Sequence, residues 1–172
     1  ILLNSGLLED PSKIWWDLRP NVKFPTLEIR ICDTCTLLKD SISIAALYLC
    51  IIHMVHRLRR ENQKWRVYSR MLINENRWRA QRYGIEKGLV DFGKSKLVPY
   101  KDLIDELIDL IKEDARELGC MQEVLNIKNI CQNGTSADKQ IKIFNNEIKK
   151  SGDKKIALEN VVKFLIQDTV KY

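Results

Sequence analysis

Apolar and polar residues alternate strictly along the stretch TLEIRICD, from Thr26 to Asp33. A period of two is typical of a β-strand that buries one face. The side predicted to be buried carries Leu27, Ile29 and Ile31. Glu28 and Arg30 then lie together on the opposite, open face. A carboxylate and a guanidinium side by side can hold Mg²⁺ and a phosphate together, but an ordinary surface ion pair has the same spacing.

The longest apolar segment predicts a helix from about Thr36 to about Asn62, capped at its start by Asp33 or Thr34. Its middle, SISIAALYLCIIHMV, is apolar on every face, and this favours a central, buried helix. The apolar run itself, from Ser43 to Val55, is shorter than the roughly 20 residues that span a bilayer. We therefore expect a soluble protein with no membrane partner.

Turn residues divide the rest of the chain into shorter elements. A helix is expected from about Val67 to Tyr83, followed by Gly84, a residue typical of the position after a helix. Two short strands, Leu89–Phe92 and Lys96–Val98, are expected to form a small hairpin. The spacing between them is that of a tight turn.

From Pro99 onward the pattern is helical. One apolar stripe with helical period ends at Gly119, and a second helix is expected from about Met121 to Cys131. Thr135 and Asp138 form a capping box that predicts the start of a third. The last helix is expected to carry one apolar side made of Leu158, Val161, Val162 and Leu165.

The segment from Ser12 to Phe24 contains Trp15, Trp16 and Pro20. It is too aromatic for a loop tip and too broken for a helix, so we expect it to lie against the core. The elements together predict a mostly helical α+β fold with one main strand, a small hairpin and five or six helices. A chain of 172 residues is long enough for one domain with a real core, and we expect a single domain over residues 1–172.

Positive charge is concentrated between Arg57 and Arg82. Nine arginine and lysine side chains in this stretch face only Glu61 and Glu75, while the whole chain has a net charge of +6. Anionic ligands are therefore expected partners. With Trp65 and Trp78 the stretch also fits a helical nucleic-acid-binding module, although helical spacing equally predicts internal ion pairs within it.

The cysteines and the N-terminus indicate the compartment. Five cysteines in a chain without secretory features favour reduced thiols and a cytoplasmic protein. The first residue, Ile1, follows no basic segment, so the start does not read as a signal peptide, and we expect that an upstream part has been removed.

A zinc site has to be considered because Cys32 and Cys35 form a CxxC motif and His53 and His56 an HxxH motif. The two histidines are separated by fewer residues than zinc fingers use, and they lie in an apolar helix. Cysteines that pack at the end of a strand are the favoured interpretation. The sequence has no GxGxxG, no P-loop and no nucleophile elbow.

Three blocks of the sequence occur in an order that is specific to one family. They are IWWDLRP (Ile14–Pro20), FPTLEIRICD (Phe24–Asp33) and ENRWRAQRYG (Glu75–Gly84), and a weaker fourth block is GTSADKQ (Gly134–Gln140). With these blocks the chain resembles the carboxylate–amine ligases of the glutamate–cysteine ligase type 2 family, over most of its length.

The resemblance implies a glutamine-synthetase-like fold and an ATP- and Mg²⁺-dependent reaction in glutathione biosynthesis. In it, ATP phosphorylates a carboxylate, typically the γ-carboxylate of glutamate, and an amine such as that of cysteine attacks the acyl phosphate. Glu28 would be a Mg²⁺ ligand and Arg30 would stabilise the phosphoryl group during transfer. Arg19 would bind a substrate carboxylate, and Arg79 and Arg82 would contact phosphate or substrate.

The chain departs from the family in length, because family members are about twice as long. The expected partner is therefore the N-terminal half of the same protein, which would supply further metal ligands and strands, with a homo-oligomer also compatible. One carboxylate does not make a magnesium site, so we expect this chain alone to be inactive. A non-catalytic interaction domain, pairing through the surface that the other half covers, is a further alternative.

Overall fold

The computed structural model describes residues 2–171. The chain divides into two compact units, Ile1–Thr34 and Cys35–Tyr172. The single domain expected from the sequence stays a prediction.

The first unit is built on a short antiparallel pair of strands. A 3₁₀ turn at Pro11–Lys13 precedes strand β1, Leu18–Pro20, which pairs with strand β2, Leu27–Ile29. The connection is a tight loop in which the Asn21 side chain accepts hydrogen bonds from two following backbone N–H groups. The register of this pair sets Arg19 directly opposite Glu28.

The burial predicted for the first unit is wrong. Leu27 and Ile31 are 48% and 55% exposed, whereas Glu28 and Arg30 are half-buried. Ile29, on the side predicted to be buried, is half-buried as well, and Glu28 is partly covered because Arg19 and Arg30 contact it. Trp15 and Trp16 are 76% and 54% exposed, so the segment around them does not lie against the core as expected.

Most of the second unit is helical. It contains, in chain order, α1 (Leu38–Arg60), α2 (Arg70–Tyr83), β3 (Leu89–Asp91), β4 (Lys96–Val98), α3 (Tyr100–Glu117), α4 (Met121–Asn133), α5 (Ser136–Ser151) and α6 (Lys154–Thr169). The mostly helical α+β class, the hairpin and the six helices within residues 2–171 confirm the prediction. The glutamine-synthetase-like architecture stays a prediction.

Helices α1, α3 and α4 form the hydrophobic core. Side chains from the three helices meet there, namely Ala46, Cys50, Met54, Ile108, Ile111, Ala115 and Val124. Burying a large aliphatic side chain contributes about 1.5–3 kcal/mol. The core also contains a polar pair, since the Asn126 amide donates to the Ser43 hydroxyl over 2.9 Å. This bond satisfies two polar groups that would otherwise be costly to bury.

Helices α5 and α6 form an antiparallel pair that is tied to the start of α1. The predicted capping box is confirmed: Thr135 and Asp138 exchange hydrogen bonds at the start of α5. Near the end of α6, the buried Asp168 carboxylate accepts a 2.8 Å hydrogen bond from the hydroxyl of Thr36. The apolar side predicted for α6 is partly wrong, because Leu158 and Val162 are exposed while Ala157 is buried.

Helix α1 differs from its prediction at its start and in its burial. Leu37 precedes it without a side-chain cap, because the Asp33 carboxylate accepts from the adjacent Thr34 N–H and the helix begins later. Only one face of α1 is buried, so the prediction that α1 is buried on every side is wrong. By length and composition alone, the 23 residues of α1 are long and apolar enough to cross a membrane, although the apolar run Ser43–Val55 within it is shorter. Core helices of globular proteins pass the same criterion.

Helix α2 is fastened to the β3–β4 hairpin through side chains. The Asn76 side chain pairs with both the backbone N–H and the carbonyl of Val90, over 2.8 and 2.9 Å. Gly84 follows α2 with positive φ, as the sequence predicts. Gly88 lies at the open end of the hairpin, just before β3, where a β-carbon would be 2.3 Å from the Val98 carbonyl oxygen. Only glycine fits at that position.

Candidate functional site

Glu28 lies between two arginines in the first unit. Its Oε2 atom accepts hydrogen bonds from Arg19 Nη2 at 2.5 Å and Arg19 Nε at 3.1 Å, and its Oε1 atom accepts from Arg30 Nη1. The predicted neighbours Glu28 and Arg30 are therefore in contact. Arg19, predicted separately from another block, completes the group.

Each arginine is held by a second contact within the same unit. Arg19 Nη1 donates to the carbonyl of Ser12 over 2.9 Å, which anchors the guanidinium to the 3₁₀ turn. The Arg30 guanidinium lies over the Trp15 ring, 4.3 Å from its centre, in a cation–π contact. These contacts explain the exposed tryptophan, because its ring face supports a charged group.

The charges of this group favour anions. Two guanidinium groups and one carboxylate leave a net charge of +1. The hydrogen bonds from Arg19 hold the pKa of Glu28 below its usual range, with a smaller effect from Arg30, so Glu28 is ionised at neutral pH. Guanidinium groups held in place in this way are suited to carboxylate or phosphate oxygens, although Nε, Nη1 and Nη2 of Arg19 each already donate one hydrogen bond within the unit.

A cleft of about 300 Å³ lies beside Arg19. It is lined by Asp10, Pro11, Ser12, Arg19, Pro20, Asn21, Val22 and Lys23, all from the first unit. This volume is at the lower end of the range of volumes that small-molecule sites have. Its wall carries two cationic side chains, Arg19 and Lys23, and one carboxylate, Asp10, so the cleft has a net charge of +1.

Residues 2–171 alone do not fit a complete magnesium site. Mg²⁺ requires near-octahedral oxygen coordination. Within these residues no group of three or more His, Cys, Asp and Glu side chains is arranged to hold a metal ion, and both Glu28 oxygens already accept from arginines. The role of Glu28 as a metal ligand stays a prediction.

The other two predicted site residues lie on α2, in the second unit. Arg79 donates to the carbonyls of Gly88 and Lys87 over 3.3 and 3.0 Å, and Glu75 is 4.0 Å away. Arg79 thus holds the loop before β3. Arg82 is exposed on the last turn of α2. Substrate or phosphate contacts of Arg79 and Arg82 stay predictions.

Sequence reasoning missed a buried ionic group between α1 and α3. The Asp114 carboxylate is 1% exposed and accepts from His53 Nδ1 at 2.7 Å, from Arg57 Nε at 3.2 Å and from Arg57 Nη2 at 3.0 Å. The Arg57 hydrogen bond is the main reason why the pKa of Asp114 is lowered. The available signal was an aspartate inside the apolar stripe of α3.

This ionic group bears on two alternatives raised by the sequence. His53 pairs with Asp114, and within residues 2–171 no group of three or more His, Cys, Asp and Glu side chains is placed to hold a metal ion, so the described residues do not support a zinc site. Arg57 and Arg79 of the basic stretch are likewise engaged in internal contacts. Binding of nucleic acid by the rest of that stretch stays a prediction.

Among the cysteines, Cys50 and Cys120 approach each other in the core. Their Sγ atoms are 3.5 Å apart and unbonded, and burial raises the pKa of Cys50 to about 12. Cys32 is an exposed free thiol whose pKa is raised by desolvation. Raised pKa values mean little thiolate at neutral pH, as in packing cysteines.

The chain matches the family model of glutamate-cysteine ligase family 2 over residues 2–159. The chain belongs to this family. The three blocks that carried the resemblance lie inside the matched region, and the resemblance is thereby confirmed.

Relatives in the family share up to about half of the residues. A protein of Rhodospirillum rubrum, provisionally named glutamate–cysteine ligase 2, is 51% identical over 170 residues, which are 99% of this chain and 44% of the relative. Proteins with the same name from Jannaschia sp. and Ruegeria pomeroyi are 49% and 42% identical over 98% of this chain and cover 44% and 43% of their own lengths. No solved structure matches the chain. This member of the ligase family thus spans less than half the length of its curated relatives.

Proposed function

We propose that this chain supplies part of the active site of an ATP- and Mg²⁺-dependent ligase that joins the γ-carboxylate of glutamate to an amine such as that of cysteine. The observation that carries the proposal is the group formed by Arg19, Glu28 and Arg30. All three residues come from the blocks that match the family. Their arrangement orients two guanidinium groups for anionic ligands.

The reaction would proceed in two displacements. A carboxylate oxygen attacks the γ-phosphorus of ATP and ADP leaves; the amine nitrogen then attacks the acyl carbon, phosphate leaves and the nitrogen loses a proton. Negative charge collects on the transferring phosphoryl group, so fixed cationic donors lower the barrier. We assign Arg30 to that charge and Arg19, at the wall of the 300 Å³ cleft, to a substrate carboxylate.

Magnesium, when bound, would neutralise charge on the phosphates of ATP. Glu28 would be one of its ligands and would exchange an arginine hydrogen bond for the ion, while the remaining ligands come from outside residues 2–171. The chain alone is then inactive. Arg79 and Arg82 are proposed to contact phosphate or substrate, in a cytoplasmic protein.

The experiment uses a hybrid in which this chain replaces the 170 matched residues of the Rhodospirillum rubrum relative. ADP release is measured with glutamate, a panel of amines and varied Mg²⁺, for the hybrid, for the chain alone and for the variants Glu28→Gln and Arg30→Lys. The control is Glu9→Gln, since Glu9 pairs with Lys13 at an exposed position of the same unit. We expect ADP release only from the hybrid, when acid and amine are both present.

The expected loss in Glu28→Gln and Arg30→Lys is about a hundredfold or more, the size seen when one charge-stabilising group is removed. Glu28→Gln should in addition require more Mg²⁺ for half-maximal rate, whereas Arg30→Lys should not. A folded hybrid whose Glu28→Gln variant keeps full activity refutes the assignment. An unchanged Mg²⁺ requirement with a lost rate would instead make Glu28 a residue that only positions the two arginines.

A further inference from the structure

Helix α1 has a second apolar face that the helices of its own unit do not cover. We call it the outer stripe, and it consists of Leu38, Ile42, Ala45, Leu49 and Ile52. The spacing alternates between four and three residues, which is the repeat of helices that pack along their length. Leu38, Ile42 and Leu49 are 47%, 46% and 50% exposed, respectively.

The outer stripe is separate from the face that packs in the core. At 100° per residue, its centre lies about 140° around the helix from the line through Ser43, Cys50 and Met54. Those three residues are buried against α3 and α4. Leu38, Ile42, Ala45 and Leu49 are exposed and Ile52 is half-buried, so the stripe is a candidate packing surface.

The stripe continues into a groove. At the N-terminal end of α1, Leu38 and Ile42 line a space of about 470 Å³ together with Leu125 and Asn126 of α4. Side chains of a covering segment would fit between the two helices there. The surface therefore offers both a ridge and a depression, as packed interfaces do.

We propose that the outer stripe is the packing face for the polypeptide that the relatives possess beyond this chain. More than half of each relative's length lies outside the matched region, because the match covers 44% of the Rhodospirillum rubrum and Jannaschia proteins. That polypeptide must contact this chain somewhere in a compact protein. The proposal rests on family membership and not on the proposed reaction.

A second copy of the chain fits this face less well. The stripe covers about 21 Å of a helix about 10 Å wide, which is a few hundred Å² at most. A stable dimer buries about 800 Å² on each partner. A segment of the same polypeptide chain needs less area, since its linkage supplies a high effective concentration.

A lipid bilayer is also a poorer occupant. His53 and Arg57 lie about 60° and 100° around α1 from the centre of the outer stripe, and both are paired with Asp114 of α3. Insertion of α1 would separate these charged groups and expose them to hydrocarbon, at high cost. The covering polypeptide requires no such change.

The test compares two leucines of equal exposure, Leu49 in the stripe and Leu158 on α6, which are 50% and 51% exposed. In this chain alone, Leu49→Glu and Leu158→Glu should each shift Tm by less than about 2 °C, as surface substitutions do. In the hybrid with the Rhodospirillum rubrum relative, Leu49→Glu should lower Tm by about 5 °C or more, because the charge becomes buried. Leu158→Glu should leave the Tm of the hybrid unchanged.

A second readout needs no substitution. Hydroxyl-radical footprinting should show that Ile42 and Leu49 are protected in the hybrid relative to the chain alone, while Leu158 labels equally in both. Equal labelling of all three residues, equal Tm shifts for Leu49→Glu in both proteins, or a hybrid that does not fold would overturn the proposal.

Two further measurements test the two alternative occupants of the stripe, a second copy of the chain and a membrane. Sedimentation of the chain as a dimer that Leu49→Glu dissociates would assign the stripe to a second copy. Flotation of the chain with phospholipid vesicles, abolished by Leu49→Glu, would assign it to a membrane. Either result overturns the proposal, whether or not the hybrid is an active ligase.

Discussion

Replacing Asp114 by asparagine tests whether the buried ionic group fastens α1 to α3. Asparagine has nearly the same shape but no charge, and its NH₂ group would face the donors of His53 and Arg57. Removing one partner of a buried ion pair costs about 3–5 kcal/mol. The side chains of His53 and Arg57 are 28% and 34% exposed and can turn towards water, which places the cost near the lower end.

We therefore expect Asp114→Asn to reduce the free energy of unfolding by about 3 kcal/mol. For a chain of this size, 1 kcal/mol corresponds to about 2–4 °C, so Tm should fall by roughly 6–12 °C. Circular dichroism at several urea concentrations or temperatures measures the change. The matched control is Asp109→Asn, an exposed aspartate on the same helix, which should change the free energy by less than about 0.5 kcal/mol.

The pH dependence gives the sign of the effect. Because the pKa of Asp114 is lowered in the folded chain, its contribution is complete above the carboxyl pKa of the unfolded chain, about 4, and is lost as the pH falls further. The Tm difference between wild type and Asp114→Asn should thus shrink as the pH falls from about 4 towards 3. A difference below 2 °C at neutral pH, or one that grows as the pH falls below about 4, would refute the reasoning.

Two smaller predictions concern local structure. Thr135→Ala removes the hydroxyl that accepts from the Asp138 N–H and should cost about 1 kcal/mol, whereas Thr135→Ser should keep the cap and the stability; urea unfolding distinguishes them. Gly88→Ala should cost about 2 kcal/mol or more, since its φ is +65° and a β-carbon would meet the Val98 carbonyl, while Gly119→Ala, with φ +68° and open space, should cost only about 1 kcal/mol. Equal Tm values for the two glycine variants would contradict the steric argument.

The buried face of a helix could be predicted where its apolar residues recur on one side only. In α3 the apolar residues recur on a single face, and Ile108, Ile111 and Ala115 are indeed buried. The start of α5 was visible because a capping box is a local signal. These features depend on residues close in sequence, which a linear reading can compare.

The covered faces of α1 and α6 could not be predicted. A helix that is apolar all round, such as α1, does not show which side its neighbours occupy. In α6 the small Ala157 lies against its neighbours while the larger Leu158 and Val162 face outward. Helix α6 packs against α5, and which of its faces is covered depends on such pairing rather than on hydrophobicity alone.

The candidate site was predictable in part. The period of the strand placed Glu28 beside Arg30, and the family blocks added Arg19. The contact between Arg19 and Glu28 could not be predicted, because it depends on the register in which β1 pairs with β2. No single stretch of sequence encodes that register. The same holds for Asp114, whose partners His53 and Arg57 are about 60 residues away in sequence.

The hydrogen bond between Thr36 and Asp168 has a consequence for how the chain is made and cut. Asp168 is synthesised after Thr36. Thr36, which lies just before α1, therefore forms this hydrogen bond only once the end of α6 has been made. The family match stops at residue 159, nine residues before Asp168. A gene trimmed to the matched region would encode a protein with a shortened α6, in which Thr36 keeps its hydrogen bond to Ser136 and loses the one to Asp168.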